Sequence, residues 1–263
     1  MKNIHNSEQM GSQMMNYACL YYYCKKYGHN VGLQPESAFG KFSSKIIADS
    51  FTYNFNYVNN VDDMIHINEY PYNQLDNIDK NKNYFVHGLF HRAISVWSSI
   101  KEDIRDNFYN FNNSILVEAK NKINYFKQKN KTITSVHFRR RDYVTLGAAL
   151  KLDYYKNAVN QYNADDIFLV FSDDIEWCKS IKDEVFGNRN VFFSENNKQN
   201  IDMCMASLCD NNIVSNSTFS IWSAALNKNS KAKIVSTKFA PGGCDLSLAF
   251  QNWKILTSSI IRN

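Results

Sequence analysis

The sequence predicts an α/β protein whose C-terminal half is built on a parallel sheet. Two observations lead there. From Lys131 onward, short apolar runs alternate with stretches of helical period, the pattern of strands joined by crossover helices and covered on both faces. Three of those runs also end in polar groups that a buried core does not require: His137 to Asp142, Ser172 to Asp174, and Asn216 to Ser220. In such sheets, ligands bind beyond the carboxyl ends of the strands.

The N-terminal half is less regular. In "QMMNYACLYYYCKKYGHNV", Met14, Tyr17, Ala18, Tyr21 and Cys24 recur at helical spacing, and Gly28 is the expected C-terminal stop. Residues 34–82 are polar and aromatic, broken at Pro35 and Pro71. "YFVHGLF" (Tyr84–Phe90) reads as a strand and turn. A helix follows with Ile94, Trp97, Ile100, Ile104 and Phe108 on one face. Another, about Ile115 to Gln128, presents Leu116, Ala119, Ile123 and Phe126. "QKNKT" then marks the expected domain boundary, giving domains at 1–130 and 131–263.

Beyond it the order is strand "TITSVHF", helix "LDYYKNAVNQY", strand "DIFLVFSDD", helix "DIEWCKSIKDEVF" and strand "NVFFSE". Helix "NIDMCMASLC", strand "NNIVSN", helix "STFSIWSAALN" and strand "AKIVST" complete it.

Composition narrows the function classes. Of 263 residues, 44 % are hydrophobic and 14 % aromatic, and there are only 3 prolines and 9 glycines. That is enough apolar material for a core and too little linker for disorder. A net charge of +5 from scattered lysines suits an anionic ligand but is not a nucleic-acid footprint. The start has no apolar signal segment, and no run nears the ~18 apolar residues of a membrane span. The six cysteines form no C-x-x-C pair. A cytoplasmic protein with reduced, buried thiols is expected.

In "SVHFRRRDYV", Arg139 and Arg140 directly follow a strand. A guanidinium is a planar fork of donors that matches phosphate oxygens and stays charged at any working pH. Asp142 can orient one of them by an ion pair. A solvated basic cluster accounts for the run equally well by itself. Ser217 and Thr218 stand where a strand gives way to a helix, whose first amides and dipole favour an anion. Beside the arginine turn, they make a shared phosphate site the better reading. Asp173 and Asp174 suit a ribose, a base edge or Mg2+, and Asp174 equally suits a helix cap. His87 and His91 have the spacing of a helical metal pair, without a third ligand.

"VHFRRRDYV", "LDYYKNAV", "FSDDIEWCK", "DMCMASLCDNNIVSNSTFSIWSAALN" and "KIVSTKFA" resemble, in this order, the bacterial α-1,2-fucosyltransferases. "MGSQMMNYA" resembles, in altered form, that family's N-terminal glycine loop. The resemblance implies a GT-B-like fold of two Rossmann-like domains facing a cleft. It implies inverting transfer of fucose from GDP-fucose to a sugar 2-hydroxyl in surface polysaccharide or O-antigen synthesis. No metal or other cofactor is implied. The acceptor would be an oligosaccharide, in some cases lipid-linked, at the inner face of a membrane.

By residue, it assigns Arg139, Arg140 and Asp142 to catalysis. His137, Asp173, Ser217, Thr218, Phe219, Gly11 and Gln13 join the arginines around the donor. His5 and Glu8 are further candidates for the base. Two departures stand out: Arg141 replaces a family glycine, and Ile221 replaces a tryptophan that precedes Trp222. Alternatives are another nucleotide-sugar donor on the same fold, or a catalytically silent carbohydrate- or nucleotide-binding protein.

Overall fold

A computed structural model describes residues 10–32, 45–56, 58, 62–68, 78–87, 99–240, 243 and 245–261. The chain divides into two compact units, Met1–Asn110 and Phe111–Asn263.

In the first unit, helix α1 (Met10–Tyr27) buries Met10, Met14, Tyr17 and Ala18. Gly28 ends it at φ 73°, the left-handed conformation that glycine adopts without a Cβ penalty. The Tyr17 ring meets Phe55 edge-on at 4.8 Å and Phe108 at 5.5 Å. The Tyr109 hydroxyl donates to the Met14 carbonyl at 2.8 Å, which satisfies its polar end inside an aromatic core. The stretch read as irregular contains helix α2 (Lys45–Ser50) and strand β1 (Ile65–Asn68). β1 pairs in parallel with β2 (Tyr84–His87). The helix expected after residue 93 is described from residue 99 and ends in a π-helical turn, Ile104–Phe108. Ile100, Ile104 and Phe108 are buried, as their spacing predicts; Ile94 and Trp97 lie outside the described residues.

The second unit begins earlier than the sequence suggests. Helix α3 (Asn113–Lys127) buries Ile115, Ala119 and Ile123 in one cluster with Ile133, Ile167 and Leu169 of the sheet. The expected break near 130 therefore falls inside this unit. "QKNKT" is only the turn between α3 and β3 (Ile133–Phe138), and its polarity reflects exposure rather than a linker.

Six parallel strands form the sheet. After β3 come β4 (Ile167–Ser172), β5 (Asn190–Phe193), β6 (Asn211–Val214), β7 (Ile234–Thr237) and β8 (Lys254–Leu256). Their spatial order is β5-β4-β3-β6-β7-β8. The chain thus lays down three strands in one direction, returns, and lays down three in the other, which is the doubly wound dinucleotide-binding order.

Alternation along β3 and β4 separates the two faces. Val136, Phe138, Phe168 and Val170 pack with helices α5 (Leu152–Val159) and α7 (Lys182–Phe186). Ile133, Ile167, Leu169 and Phe171 pack with α3 and α8 (Gln199–Ser207). The single helix expected over 174–186 is two, α6 (Ile175–Ser180) and α7. They break at Ile181, whose ψ of 7° leaves the helical region. Among the described cysteines, Cys19, Cys178, Cys204 and Cys209 are buried free thiols. Burial pushes Cys178 and Cys204 up to about 12, which keeps them protonated and inert.

Candidate functional site

β3 and β6 are neighbours in the sheet but their connections run in opposite directions, so a crevice opens beyond their carboxyl ends. The polar strand ends meet there through named contacts. Asp173, just past β4, accepts from Arg139 Nη1 at 2.7 Å and from the Arg140 amide at 2.9 Å. One carboxylate therefore fixes both the side chain and the backbone of the arginine turn. Arg139 Nη2 also lies 2.6 Å from Asp142 Oδ1. That approach is an ion pair without hydrogen-bond alignment, since this oxygen accepts no hydrogen bond. Arg139 sits over the Tyr143 ring as well, at 5.2 Å. Asp142 and Tyr143 belong to helix α4 (Arg141–Thr145), which is too short to show a period in the sequence.

Arg140 differs from its neighbour. Its guanidinium lies 3.6 Å from the centre of the Trp177 ring. Nε and Nη1 are buried and donate to nothing among the described residues. Leaving a buried donor unsatisfied costs roughly 1–3 kcal/mol, and more when it is charged. The folded protein thus presents a fixed cation with two unused donors at the mouth of the sheet. Arg141, by contrast, is exposed. It begins α4 without the positive φ that would require the family's glycine.

The third strand end closes against the first. His137 Nδ1 and Ser215 Oγ share a hydrogen bond at 2.8 Å, and the His137 ring stacks on Phe219 at 4.9 Å. Burial and then the adjacent Arg139 push His137 down to about 3. Ser217 occupies the N-cap position of helix α9 (Thr218–Ala225), but its side chain makes no capping bond. Within the same turn, Ser220 Oγ accepts from the Ser215 amide at 3.0 Å, which ties the end of β6 to the first turn of α9. Ile221 and Trp222 are both buried on α9, so the position that departs from the family is a core one.

The His137 shift has a measurable sign. Between about pH 6.5 and 3 the unfolded chain binds a proton at this residue that the folded chain does not, so stability falls as pH falls through that window. Above it, the ring is neutral and contributes its full share. Replacement by Asn is expected to flatten this part of the stability–pH curve, checked by urea denaturation at pH 7, 6 and 5. It should leave no limb near pH 6.5 in a pH–activity profile to be lost.

The remaining expected residues fall as follows. Asp174 is a helix cap, accepting from the Trp177 amide at 3.3 Å. Gly11 and Gln13 are buried in the first turn of α1, in the other unit. His5 and Glu8 lie outside the described residues. His87 ends a strand and not a helix, so the i, i+4 pairing with His91 has no helix to stand on; His91 itself is outside the described residues. No group of three metal-ligating side chains occurs among the described residues. None of the described helices is long and apolar enough to cross a membrane. Sequence reasoning missed Trp177, Ser215 and Ser220. Only Trp177 left a signal, as an aromatic residue in the first turn after a strand-end acid.

A doubly wound sheet with directed cationic donors at its switch point defines an α/β protein of the nucleotide-binding kind. The family model of glycosyl transferase family 11 matches residues 1–242, and the chain belongs to that family. It is 32 % identical over 158 residues to the O-antigen biosynthesis glycosyltransferase WbnK of Escherichia coli, covering 54 % of this chain and 51 % of that protein. It is 39 % identical over 137 residues to an alpha-1,2-colitosyltransferase of Escherichia coli, covering 48 % and 46 %. The galactoside 2-alpha-L-fucosyltransferase Sec1 of Mus musculus is 30 % identical over 107 residues, covering 36 % and 28 %. These alignments span about half or less of each relative's length. The apo form of POFUT1 superposes with a TM-score of 0.51 at 10 % identity, covering 88 % of this chain and 95 % of that one. The fold is thus of the GT-B-like α/β class.

Proposed function

We propose that the protein transfers fucose from GDP-fucose to the 2-hydroxyl of an acceptor sugar, with inversion at the anomeric carbon, during synthesis of a surface polysaccharide such as O-antigen. The observation that carries this reading is the pair of buried, unsatisfied Arg140 donors at the switch point. The charges of Arg139, Arg140, Asp142 and Asp173 nearly cancel. Recognition therefore rests on the direction of the Arg140 donors and of the first α9 amides rather than on net charge. A diphosphate supplies acceptors for both. His137, Phe219 and the Ser217–Thr218 turn flank the same crevice, where the nucleoside would lie.

In the reaction, the acceptor hydroxyl attacks C1 of fucose from the face opposite the diphosphate. The C1–O bond to the diphosphate breaks, its electron pair leaves with GDP, and the proton of the attacking hydroxyl passes to water. Negative charge grows on the β-phosphate, where donors already fixed in a low-dielectric site stabilise it most. Arg139 and Asp173 act by holding the Arg140 backbone in place. On this reading the Arg140 guanidinium and the first α9 amides meet the diphosphate, and no metal is called for. EDTA is expected to leave the transfer rate unchanged; a loss restored by Mg2+ would contradict this. Retention of configuration in the product, read by NMR, would contradict the inverting step.

A second donor is favoured by the colitosyltransferase relative. Colitose is fucose without its 3-hydroxyl, so the diphosphate site would serve either sugar. Competition between GDP-fucose and GDP-colitose separates them. A site that hydrogen-bonds the 3-hydroxyl discriminates strongly against the donor lacking it. The galactoside named for the mouse relative makes galactose the first acceptor to test. We place the reaction in the cytoplasm, with a lipid-linked acceptor at the membrane face as its setting.

A further inference from the structure

We infer that Trp177 is a positioning residue for Arg140, setting the guanidinium plane so that its donor edge faces the diphosphate. The inference rests on the anion-site reading above. A carboxylate partner would hold the guanidinium equally firmly but would consume its donors, as Asp173 and Asp142 do for Arg139. An aromatic face accepts no hydrogen bond in the guanidinium plane, so it fixes orientation and leaves Nε and Nη1 available. At 3.6 Å the two groups are in van der Waals contact, and cation–π attraction between desolvated partners is worth up to about tenfold or more in a binding constant.

Trp177 is itself held through both its backbone and its ring. Asp174 Oδ1 takes its backbone N–H at 3.3 Å, fixing the first turn of α6. The Phe138 ring meets it edge-on at 6.0 Å, and it packs on the core cluster that includes Phe138, Tyr155 and Cys178. Phe138 belongs to β3, the strand that leads into Arg139 and Arg140. Strand, ring and arginine are thus set by one packing unit.

The test is a double-mutant cycle on GDP affinity, measured by calorimetry without metal on the full chain. Trp177→Leu keeps bulk and loses the aromatic face; it should weaken GDP binding about tenfold. Trp177→Phe restores a face and should recover most of that loss. In the Arg140→Ala background, Trp177→Leu should cost almost nothing further, because a residue that acts through another adds nothing once its partner is gone. An equal loss in both backgrounds would overturn the inference and make Trp177 an independent contact or a purely structural residue. So would a Trp177→Phe variant as weak as Trp177→Leu. Unchanged GDP affinity in Arg140→Ala alone would instead overturn the anion-site reading, with this cycle as a separate result. If Trp177→Leu fails to fold, Trp177→Met, which also keeps bulk without an aromatic face, takes its place in the cycle with the same criterion of non-additivity.

Discussion

Arg140→Ala is expected to abolish transfer while leaving the protein folded. The two halves of that expectation have one cause. In the protein without substrate, Nε and Nη1 of Arg140 are buried without partners among the described residues. Their removal relieves an unsatisfied charge and forfeits, among the described contacts, the one with Trp177, so stability should shift by no more than about 1 kcal/mol. In the transition state proposed above, the same donors would face the growing charge of the leaving diphosphate. Deleting one oxyanion-type contact costs about 10²–10³ in rate, and here a full cation goes with it. Steady-state transfer assays and chemical denaturation on the same preparation read both. Near-normal turnover would remove Arg140 from the site.

Asp173→Ala is expected to damage both properties together. Asp173 bonds the Arg139 guanidinium and the Arg140 amide. It and Arg139 are mostly shielded from water, with side chains 14 % and 11 % exposed. Breaking a buried pair by deleting one partner leaves an uncompensated charge. The remaining contact with Asp142, which is 42 % exposed, reduces the loss, so about 2–3 kcal/mol is expected. Activity should fall at least as far as the turn loosens, about 10²-fold, since misplacing a catalytic donor by an ångström is enough. Asp173→Asn should be intermediate. Its amide oxygen can still take the Arg140 N–H, but its NH2 faces a second donor on Arg139. A stable, fully active Asp173→Ala protein would mean the turn is held by other contacts.

The contrast between these variants separates a ligand-facing arginine from the carboxylate that supports it. It also shows what the sequence made legible. The strand ends bearing Arg139, Arg140, Asp173 and Ser217 were readable because each follows directly on a mainly apolar strand in an alternating strand–helix pattern, where the crevice of such a sheet lies. Which arginine is paired and which is unsatisfied was not readable. That depends on Asp173 arriving from β4, 33 residues after Arg140. Asp173, expected beside the nucleotide, accepts from both arginines, a contact that its position in the sequence does not announce. The bond from the Ser215 amide to Ser220 Oγ was unreadable for a similar reason: several hydroxyls lie in that turn, and only packing chooses among them.

Elsewhere, local signals were outweighed by tertiary ones. "QKNKT" has the composition of a linker, yet Ile115, Ala119 and Ile123 on its N-terminal side belong to the sheet's core. The helical period runs unbroken through Ile181, yet the chain turns there so that Ile181, Val185 and Phe186 can pack on the cluster containing Phe138. Strands β1 and β2 pair across a separation that period-2 patterning cannot reveal in four residues each. By contrast, α1 and its stop at Gly28 were clear, because eighteen residues give several turns of periodicity and glycine alone suits φ 73°.

The most direct test of the central claim is calorimetric titration of GDP-fucose, GDP-mannose and UDP-galactose into the metal-free protein and into Arg140→Ala. The account predicts binding of GDP-fucose by the unaltered protein, weaker or no binding of the other two, and binding weakened tenfold or more, though still measurable, in the variant. Equal affinity for GDP-fucose in both proteins, or no binding of any of the three, would contradict it.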